Sequence, residues 1–208
     1  MKSDDKPVLG RPRAFDPDVA LEIAMRLFWA HGYEATSLAM LREATGLTQP
    51  QIYAAFKDKE NLFHLALVRY CAREVAFAQD ALDAPVSTLE AISLLLRAAA
   101  AFYADPAKPG GCLLVSAAGA ASPQAQPVAS ALRERRATNE AAISARMKQG
   151  QVAGDVPSGV DPSTLARYVS SVMSGMSIEA RDGASVEDLI AVADTAVRAL
   201  PMTAASRQ

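Results

Sequence analysis

A short polar run near residue 50 contains the residue types best suited to chemistry in this chain. Thr48, Gln49, Gln51 and Tyr53 place hydroxyl, amide and phenol groups at the start of a predicted helix, with Pro50 in its first turn. Groups of this kind hydrogen-bond to base edges and phosphates when the end of a helix enters the major groove of DNA. The run therefore predicts a DNA-reading surface.

Two short predicted helices position these groups. Their apolar residues, spaced three or four apart as on one buried helix face, are Leu38, Leu41, Ala44, Ile52 and Phe56. Gly46 ends the first helix because glycine adopts positive φ without steric cost. Thr48 begins the second helix, and two short helices around a glycine turn are typical of a helix-turn-helix.

Gln51 has two open interpretations. Thr48 and Gln51 fit the S/T-x-x-E/Q capping box, in which the glutamine side chain bonds the backbone of the capping residue. The same side chain also lies at an outward position, where it can bind a base edge. Gln49 takes no part in the cap, so we expect it to be the better base reader.

The charge of the chain limits how it can bind DNA. The formal net charge is −2, so the protein as a whole is not a polycation. Binding must depend on the placement of a few basic groups, Arg11, Arg13, Lys57 and Lys59. The first two belong either to a solvated tail or, as we favour, to an arm that enters a minor groove. Contacts of lysine and arginine with phosphates predict binding that weakens as salt increases.

Composition and helix signals predict an all-α protein. Half of the 208 residues are hydrophobic and 6% are aromatic, which favours close packing through small side chains. Helix caps and glycine or proline breaks predict an N-terminal three-helix domain with the helix-turn-helix, followed by a C-terminal six-helix domain. The fourth helix is expected to run from Asp58 to near Pro85. The predicted segments are a flexible arm (1–14), the DNA-binding domain (15–58), the C-terminal domain (59–200) and a tail (201–208).

The same features indicate where the protein works. Two cysteines are too few for a disulfide framework, which favours a reducing cytoplasm. The N-terminus is polar where a signal peptide would be apolar. The longest apolar tract, residues 94–101, is far too short for a membrane span. We therefore expect a cytoplasmic protein without a membrane partner.

Few residues suggest catalysis or metal binding. No Ser-His-Asp order, paired carboxylates or phosphate loop stands out, so we expect no enzyme activity and no cofactor. Cys71 and Cys112 form no Cys-x-x-Cys motif, and His31 and His64 form no tight cluster with them. We favour small buried side chains for both cysteines. A metal or redox sensor that uses Cys71 and Cys112 remains the alternative function.

The chain resembles the tetracycline-repressor (TetR) family of bacterial regulators over about residues 15–67. The matching motifs are Phe28-Trp-Ala-His-Gly-Tyr33, Thr36-Ser37, Gly46-Leu-Thr48 and the run from Ile52-Tyr53 through Lys57-Asp-Lys59-Glu to Leu62. The resemblance implies a homodimer in which each subunit binds half of a palindromic double-stranded operator. It further implies a transcriptional repressor that a small molecule in the C-terminal domain releases from DNA. That release is expected to come from a shift of the fourth helix, which changes the spacing of the two recognition helices.

The resemblance also assigns roles to single residues. It implies that Thr36 and Ser37 cap the second helix and reach phosphates, and that Tyr53 and Lys59 contact the DNA backbone. Gln49, Pro50 and Gln51 would face the bases. With the basic groups added, the predicted DNA-binding set is Arg11, Arg13, Thr36, Ser37, Thr48, Gln49, Pro50, Gln51, Tyr53, Lys57 and Lys59.

Two further sets are expected in the C-terminal domain. Aromatic, methionine and cysteine side chains that are either core or pocket lining favour an apolar effector as a group: Phe77, Phe102, Tyr103, Cys112, Met147, Tyr168, Met173 and Met176. Small and aliphatic residues of the last two predicted helices favour a four-helix dimer interface. They are Ser170, Ser171, Ser174, Gly175, Ile178, Leu189, Val192, Ala193 and Ala196.

Overall fold

Helices account for all the regular secondary structure in the computed structural model, which describes residues 16–119 and 122–203. Nine α-helices have eight residues or more, and one has four. They are α1 (Pro17–Ala35), α2 (Leu38–Thr45), α3 (Gln49–Phe56), α4 (Lys59–Arg73), α5 (Ala76–Asp83), α6 (Thr88–Tyr103), α7 (Leu113–Ser116), α8 (Gln126–Ala153), α9 (Pro162–Arg181) and α10 (Val186–Ala199). Two single-turn 3-10 helices, Ala117–Gly119 and Pro123–Ala125, lie between α7 and α8. The prediction of an all-α fold is confirmed for this part of the chain.

Helices α2 and α3 form the predicted helix-turn-helix. The Ser37 hydroxyl caps α2 by accepting from the Met40 N–H at 3.1 Å. Gly46 ends α2 in the left-handed conformation, with φ of 70°. The buried apolar residues of the motif are Leu41, Leu47, Ile52 and Phe56. Ala44, which the spacing placed on the buried face, is exposed.

The long fourth helix predicted over residues 58–85 is divided into α4 and α5, which corrects that prediction. Val75 interrupts it with φ of −115° and ψ of 19°. No glycine or proline marks this break, so local sequence does not reveal it. The turn brings α5 against α6, where the Phe77 and Phe102 ring centres lie 5.2 Å apart. Tertiary packing therefore overrides a sequence that is compatible with one continuous helix.

Helix α6 forms the centre of the C-terminal region. It packs against α5, α9 and α10, and its buried face includes Leu95, Leu96 and Ala99. Arg97 leaves this face and pairs at the surface with Asp194 of α10, with 2.7 Å between Nη2 and Oδ1. A lipid bilayer could not be spanned by any helix of the described part of the chain.

The end of α1 is bonded directly to the C-terminal region. The buried Trp29 ring donates through Nε1 to the Gly110 carbonyl at 3.0 Å. In return, Arg181 of α9 donates to the carbonyls of Trp29 and Ala30 at 3.1 and 2.9 Å. The Ser116 hydroxyl donates to the same Trp29 carbonyl at 3.0 Å. Helix α1 is thereby connected to α7 and α9 by directional bonds as well as by the shared core.

Candidate nucleic-acid interface and internal cavity

The polar residues of α3 differ in how much of their hydrogen-bonding capacity the fold already uses. Oε1 of Gln51 accepts from the backbone N–H and from the hydroxyl of Thr48, both at 2.9 Å. This is the capping arrangement, and it holds both side chains at the helix end. Gln49 and Pro50 are exposed, and the Gln49 amide reaches the Tyr53 hydroxyl only at 3.4 Å. Gln49 is thus better placed than Gln51 to exchange its contacts for a base edge.

The two residues before α2 have different environments. Ser37 is exposed, and its hydroxyl oxygen accepts from the Met40 N–H while the O–H proton stays available to a phosphate. Thr36 is completely buried. Its hydroxyl donates to the carbonyl of Gly32 at 2.6 Å and also lies 3.3 Å from that of Leu27. The predicted phosphate contact of Thr36 is therefore corrected: this side chain holds the end of α1, where Gly32 leaves the helical conformation with φ of 79°.

Lys57 occupies a strained turn directly after α3. Its backbone has φ of 69° and ψ of −58°, and it is the one non-glycine residue with positive φ in the described ranges. The Asp58 N–H donates to the Phe56 carbonyl at 2.8 Å across it, which makes a γ-turn of the rare, positive-φ type. Such backbone costs about 1–3 kcal/mol and is found preferentially at functional sites. The Lys57 side chain itself is exposed.

Lys59 contacts the end of α1 as well as solvent. Its Nζ lies 4.4 Å from the centre of the Tyr33 ring and 3.5 Å from the Glu34 carbonyl oxygen. Partial burial lowers the pKa of the Lys59 ammonium group, and the charge of Glu34 opposes this effect. Lys59 therefore has a structural role beside its predicted contact with phosphate. Arg11 and Arg13 lie outside the described residues.

A cavity of about 970 Å³ opens between α4, α5, α8 and α9. Of the predicted pocket residues, Tyr103, Cys112 and Met173 line it. Phe77, Phe102, Met147, Tyr168 and Met176 do not line this cavity. Phe102, Met147 and Met176 are buried in the core, Phe77 packs on Phe102, and Tyr168 is exposed beside α10. Helical spacing identifies an inward-facing side chain but does not distinguish solid core from a cavity wall, which explains the difference.

The sequence did not identify the charged residues of the cavity wall. Arg133, Arg135 and Arg136 of α8 line the cavity together with Glu140 and with Arg167 of α9. The sequence did contain an indication of this, namely four consecutive charged residues at 133–136. Successive helical residues are about 100° apart, so these four side chains cannot all lie on one solvent-exposed face, and at least one of them is expected to point towards a neighbouring helix.

The two cysteines also line this cavity. The buried Cys112 accepts a hydrogen bond from the Tyr70 hydroxyl, with 3.3 Å between oxygen and Sγ. Burial raises the pKa of both thiols above their ordinary value. Both are therefore protonated near neutral pH, the less reactive form. No group of three potential metal ligands occurs among residues 16–119 and 122–203.

The predicted dimer residues fall into two environments. Leu189, Ala193 and Ala196 of α10 are buried within the subunit, where α10 packs on α6. This corrects their assignment, since a side chain that is covered by its own subunit is not available to a second one. On the other hand, Val192 is exposed, and Ile178 on α9 is 51% exposed. The other predicted residues of α9 line the α9 wall of the cavity, as Ile178 does: Ser170, Ser171, Ser174 and Gly175.

Comparisons with known proteins cover both regions. A family model described as bacterial regulatory proteins, tetR family, matches residues 20–66, and one described as tetracyclin repressor-like, C-terminal domain, matches residues 88–196. The chain is 40% identical over 193 residues to the HTH-type transcriptional repressor ComR of Escherichia coli (strain K12), with 92% of each chain covered. It is 32% identical over 195 residues to the repressor BdcR of the same organism, with 93% of each covered. A solved structure of a cysteine mutant of the TetR family transcriptional regulator CifR, complexed with 26bp double-strand operator DNA, has a TM-score of 0.87 and 41% identity over 92% of this chain and 100% of that one.

Proposed function

The chain belongs to the TetR family of bacterial regulatory proteins, and from this we propose that it is a dimeric repressor that binds a palindromic DNA operator. A small molecule in the cavity between α4, α5, α8 and α9 would release the DNA. Two related repressors and a relative solved with operator DNA support this proposal. In a dimer of this kind both recognition helices must sit about one DNA turn apart, roughly 34–36 Å, to dock together.

The observation that carries the proposal is the exposed polar start of α3. Gln49 and Tyr53 project from a helix whose other face is held in the core by Ile52 and Phe56. Ser37 presents a second hydroxyl at the start of α2. A rigid helix with adaptable polar groups at its N-terminal end suits base reading, with phosphate contacts to set its position.

Two glutamines of α3 provide a test. Gln49→Ala is expected to leave stability nearly unchanged and to weaken operator binding by about tenfold, since a base contact contributes ~1–3 kcal/mol. Gln51→Ala is expected to lower the free energy of unfolding by about 1 kcal/mol, because it removes the acceptor of the Thr48 cap. Urea unfolding measures the stability of both variants. Fluorescence anisotropy on genomic fragments captured by the wild-type protein measures their affinity for the operator.

The outcomes separate the roles of the two residues. If Gln49→Ala binds the captured fragments as tightly as wild type, the assignment of Gln49 as a base reader is wrong. If the wild-type protein enriches no genomic fragment, the proposed operator-binding function fails. Enrichment of fragments beside its own gene would support autoregulation.

Lys57 gives a prediction in which stability and binding change in opposite directions. Lys57→Gly is expected to raise the free energy of unfolding by about 1 kcal/mol, because glycine removes the positive-φ strain. It should also weaken DNA binding and reduce the slope of log affinity against log salt by about 1, since one phosphate contact is lost. The measurements are urea unfolding and anisotropy titrations at several salt concentrations.

Lys57→Ala is the matched control for this prediction. It removes the same charge but keeps a Cβ, so we expect the same loss of binding without the gain in stability. Unchanged binding in both variants would exclude a phosphate contact of Lys57.

Two paths connect the cavity to the DNA-binding helices and support release by an effector. Cys71 on α4 lines the cavity, and α4 follows the proposed recognition helix α3 directly in the chain. Cys112 and Leu114 line its other side, next to the segment that bonds Trp29. A ligand that displaces either wall would move α4 or α1. It shifts the equilibrium only by its difference in affinity for the two arrangements.

A further inference from the structure

The cavity has an apolar interior of the size that small organic ligands fill. Its volume of about 970 Å³ is at the upper end of the usual range for ligand pockets. Its apolar lining includes Val75, Leu82, Leu95, Leu114 and Ile143. If only these residues lined the cavity, an apolar effector of the kind that the sequence favours would match it.

The charges of the lining do not fit a purely apolar ligand. Four arginines face this space with one acidic residue, Glu140, and one of them, Arg167, already lies 3.4 Å from the Glu140 carboxylate. Arg136 donates to the Leu114 carbonyl at 2.7 Å, and Arg133 donates to the Ser130 hydroxyl at 2.9 Å. The lining therefore carries an excess of positive charge.

Arg135 is the lining arginine for which the described residues provide no partner. It is partly buried, and within residues 16–119 and 122–203 it has neither a hydrogen bond nor an ion pair. Its positive charge does act on the neighbouring α4: burial raises the pKa of the Cys71 thiol, and Arg135 opposes that rise. The guanidinium is only partly buried, so its nitrogens remain accessible to a ligand in the cavity, and an anion would replace the water that is lost on burial.

We propose that the cavity binds an amphipathic organic monoanion, with its carboxylate on Arg135 and its apolar part against the α5 and α6 wall. This inference rests on the proposed function, since it names the chemical class of the effector. The planar guanidinium offers two parallel N–H donors, which match the two oxygens of a carboxylate. Arg135 is the one lining arginine without a hydrogen-bond or ion-pair partner among the described residues, which matches one carboxylate, and the excess of positive charge disfavours a cationic ligand.

Three ligands with the same alkyl chain test the charge requirement. Octanoate, octanol and octylamine are titrated into the full-length protein by isothermal titration calorimetry. Octanoate is expected to bind about tenfold or more tightly than octanol, since a charge-assisted hydrogen bond is added, and octylamine should bind least. Arg135→Gln is expected to remove the preference for octanoate over octanol, and Arg135→Lys should retain part of it.

Arg198→Gln is the matched control, because it removes an exposed arginine of α10 that does not line the cavity and donates to the Thr195 hydroxyl at 2.9 Å. It should leave the octanoate preference unchanged. Equal affinity of octanoate and octanol, no binding of octanoate, or an unchanged preference in Arg135→Gln would each overturn the inference. Circular dichroism verifies that each variant is folded.

The same samples separate this inference from the proposed function. Captured operator fragments are titrated with and without octanoate, and release of DNA is expected only with a protein that retains Arg135. If octanoate binds in a way that depends on Arg135 but the ligand-free protein binds no DNA, the anion site is supported and the proposed repressor function is wrong. DNA binding without octanoate binding would retain the repressor and overturn the anion site.

Discussion

Gly175→Arg is expected to convert the protein from a dimer to a monomer and to weaken operator binding by at least about 100-fold. Gly175 lies exposed on α9 one turn from the exposed Ile178, and a Cβ at this position meets no atom within 4 Å. The subunit should therefore fold normally. In a two-fold symmetric contact the new charge faces the same surface of the second subunit, and two like charges are brought together without water.

The loss of binding follows from the number of contacts that act together. A dimer that holds two half-sites gains about 10²–10⁴ in affinity over a single module, because the second contact is intramolecular. A monomer loses this gain although α3 is unchanged. Light scattering measures the oligomeric state, and anisotropy with captured operator fragments measures the affinity.

Gly159→Arg is the control for this prediction. Gly159 is exposed in the loop before α9, and a Cβ there also meets nothing within 4 Å. We expect this variant to remain a dimer with normal DNA binding. A dimeric Gly175→Arg protein would show that this face of α9 is not the subunit interface.

Gly111→Ala is expected to lower the free energy of unfolding by about 2–5 kcal/mol. An added Cβ would lie 2.5 Å from the carbonyl oxygen of Ser177 and 2.9 Å from its hydroxyl, with φ of +61°. Left-handed backbone costs an L-residue about 1–2 kcal/mol, and overpacking adds about 1–3 kcal/mol. The displaced Ser177 hydroxyl also accepts from the Cys112 N–H at 2.8 Å, so a buried donor would lose its partner.

Gly154→Ala distinguishes backbone strain from the steric clash. Its φ of +86° imposes a comparable strain, but a Cβ there meets nothing within 4 Å. We expect a loss of about 1–2 kcal/mol for this control. The measurement is urea unfolding followed by circular dichroism. If the two variants lose equal stability, the close packing of Gly111 on α9 is not what requires glycine.

The helix-turn-helix could be predicted closely because its determinants are local. Ser37 and Gly46 bond backbone groups within four residues of themselves, and Gln51 accepts from the Thr48 backbone three residues away, so these effects are visible in the sequence. For Gln51 the local sequence is compatible with two roles, a capping contact and a base contact. The distances decided its structural role, because its Oε1 already accepts two hydrogen bonds from Thr48.

The features that the sequence did not reveal depend on the path of the backbone or on contacts between segments that are far apart in the chain. By sequence Thr36 is an ordinary residue in front of α2. In the structure its hydroxyl is buried, because it donates to the Gly32 carbonyl at the end of α1. The break at Val75 has no local cause and follows from the packing of α5 on α6. In both cases a neighbour far along the chain, or the path of the backbone, changes the role of a residue whose type did not change.

The sequence by itself determined the all-helical class, the position of the recognition helix and its outward polar groups. Helix periodicity and caps involve residues that are close in sequence, so they can be recognised without knowledge of the fold. Only the tertiary structure decided which inward-facing residues fill the core and which leave a cavity. It also decided that Arg135 faces that cavity, with no partner in the part of the chain that the structure describes, since a helix face is defined by the helices that pack on it.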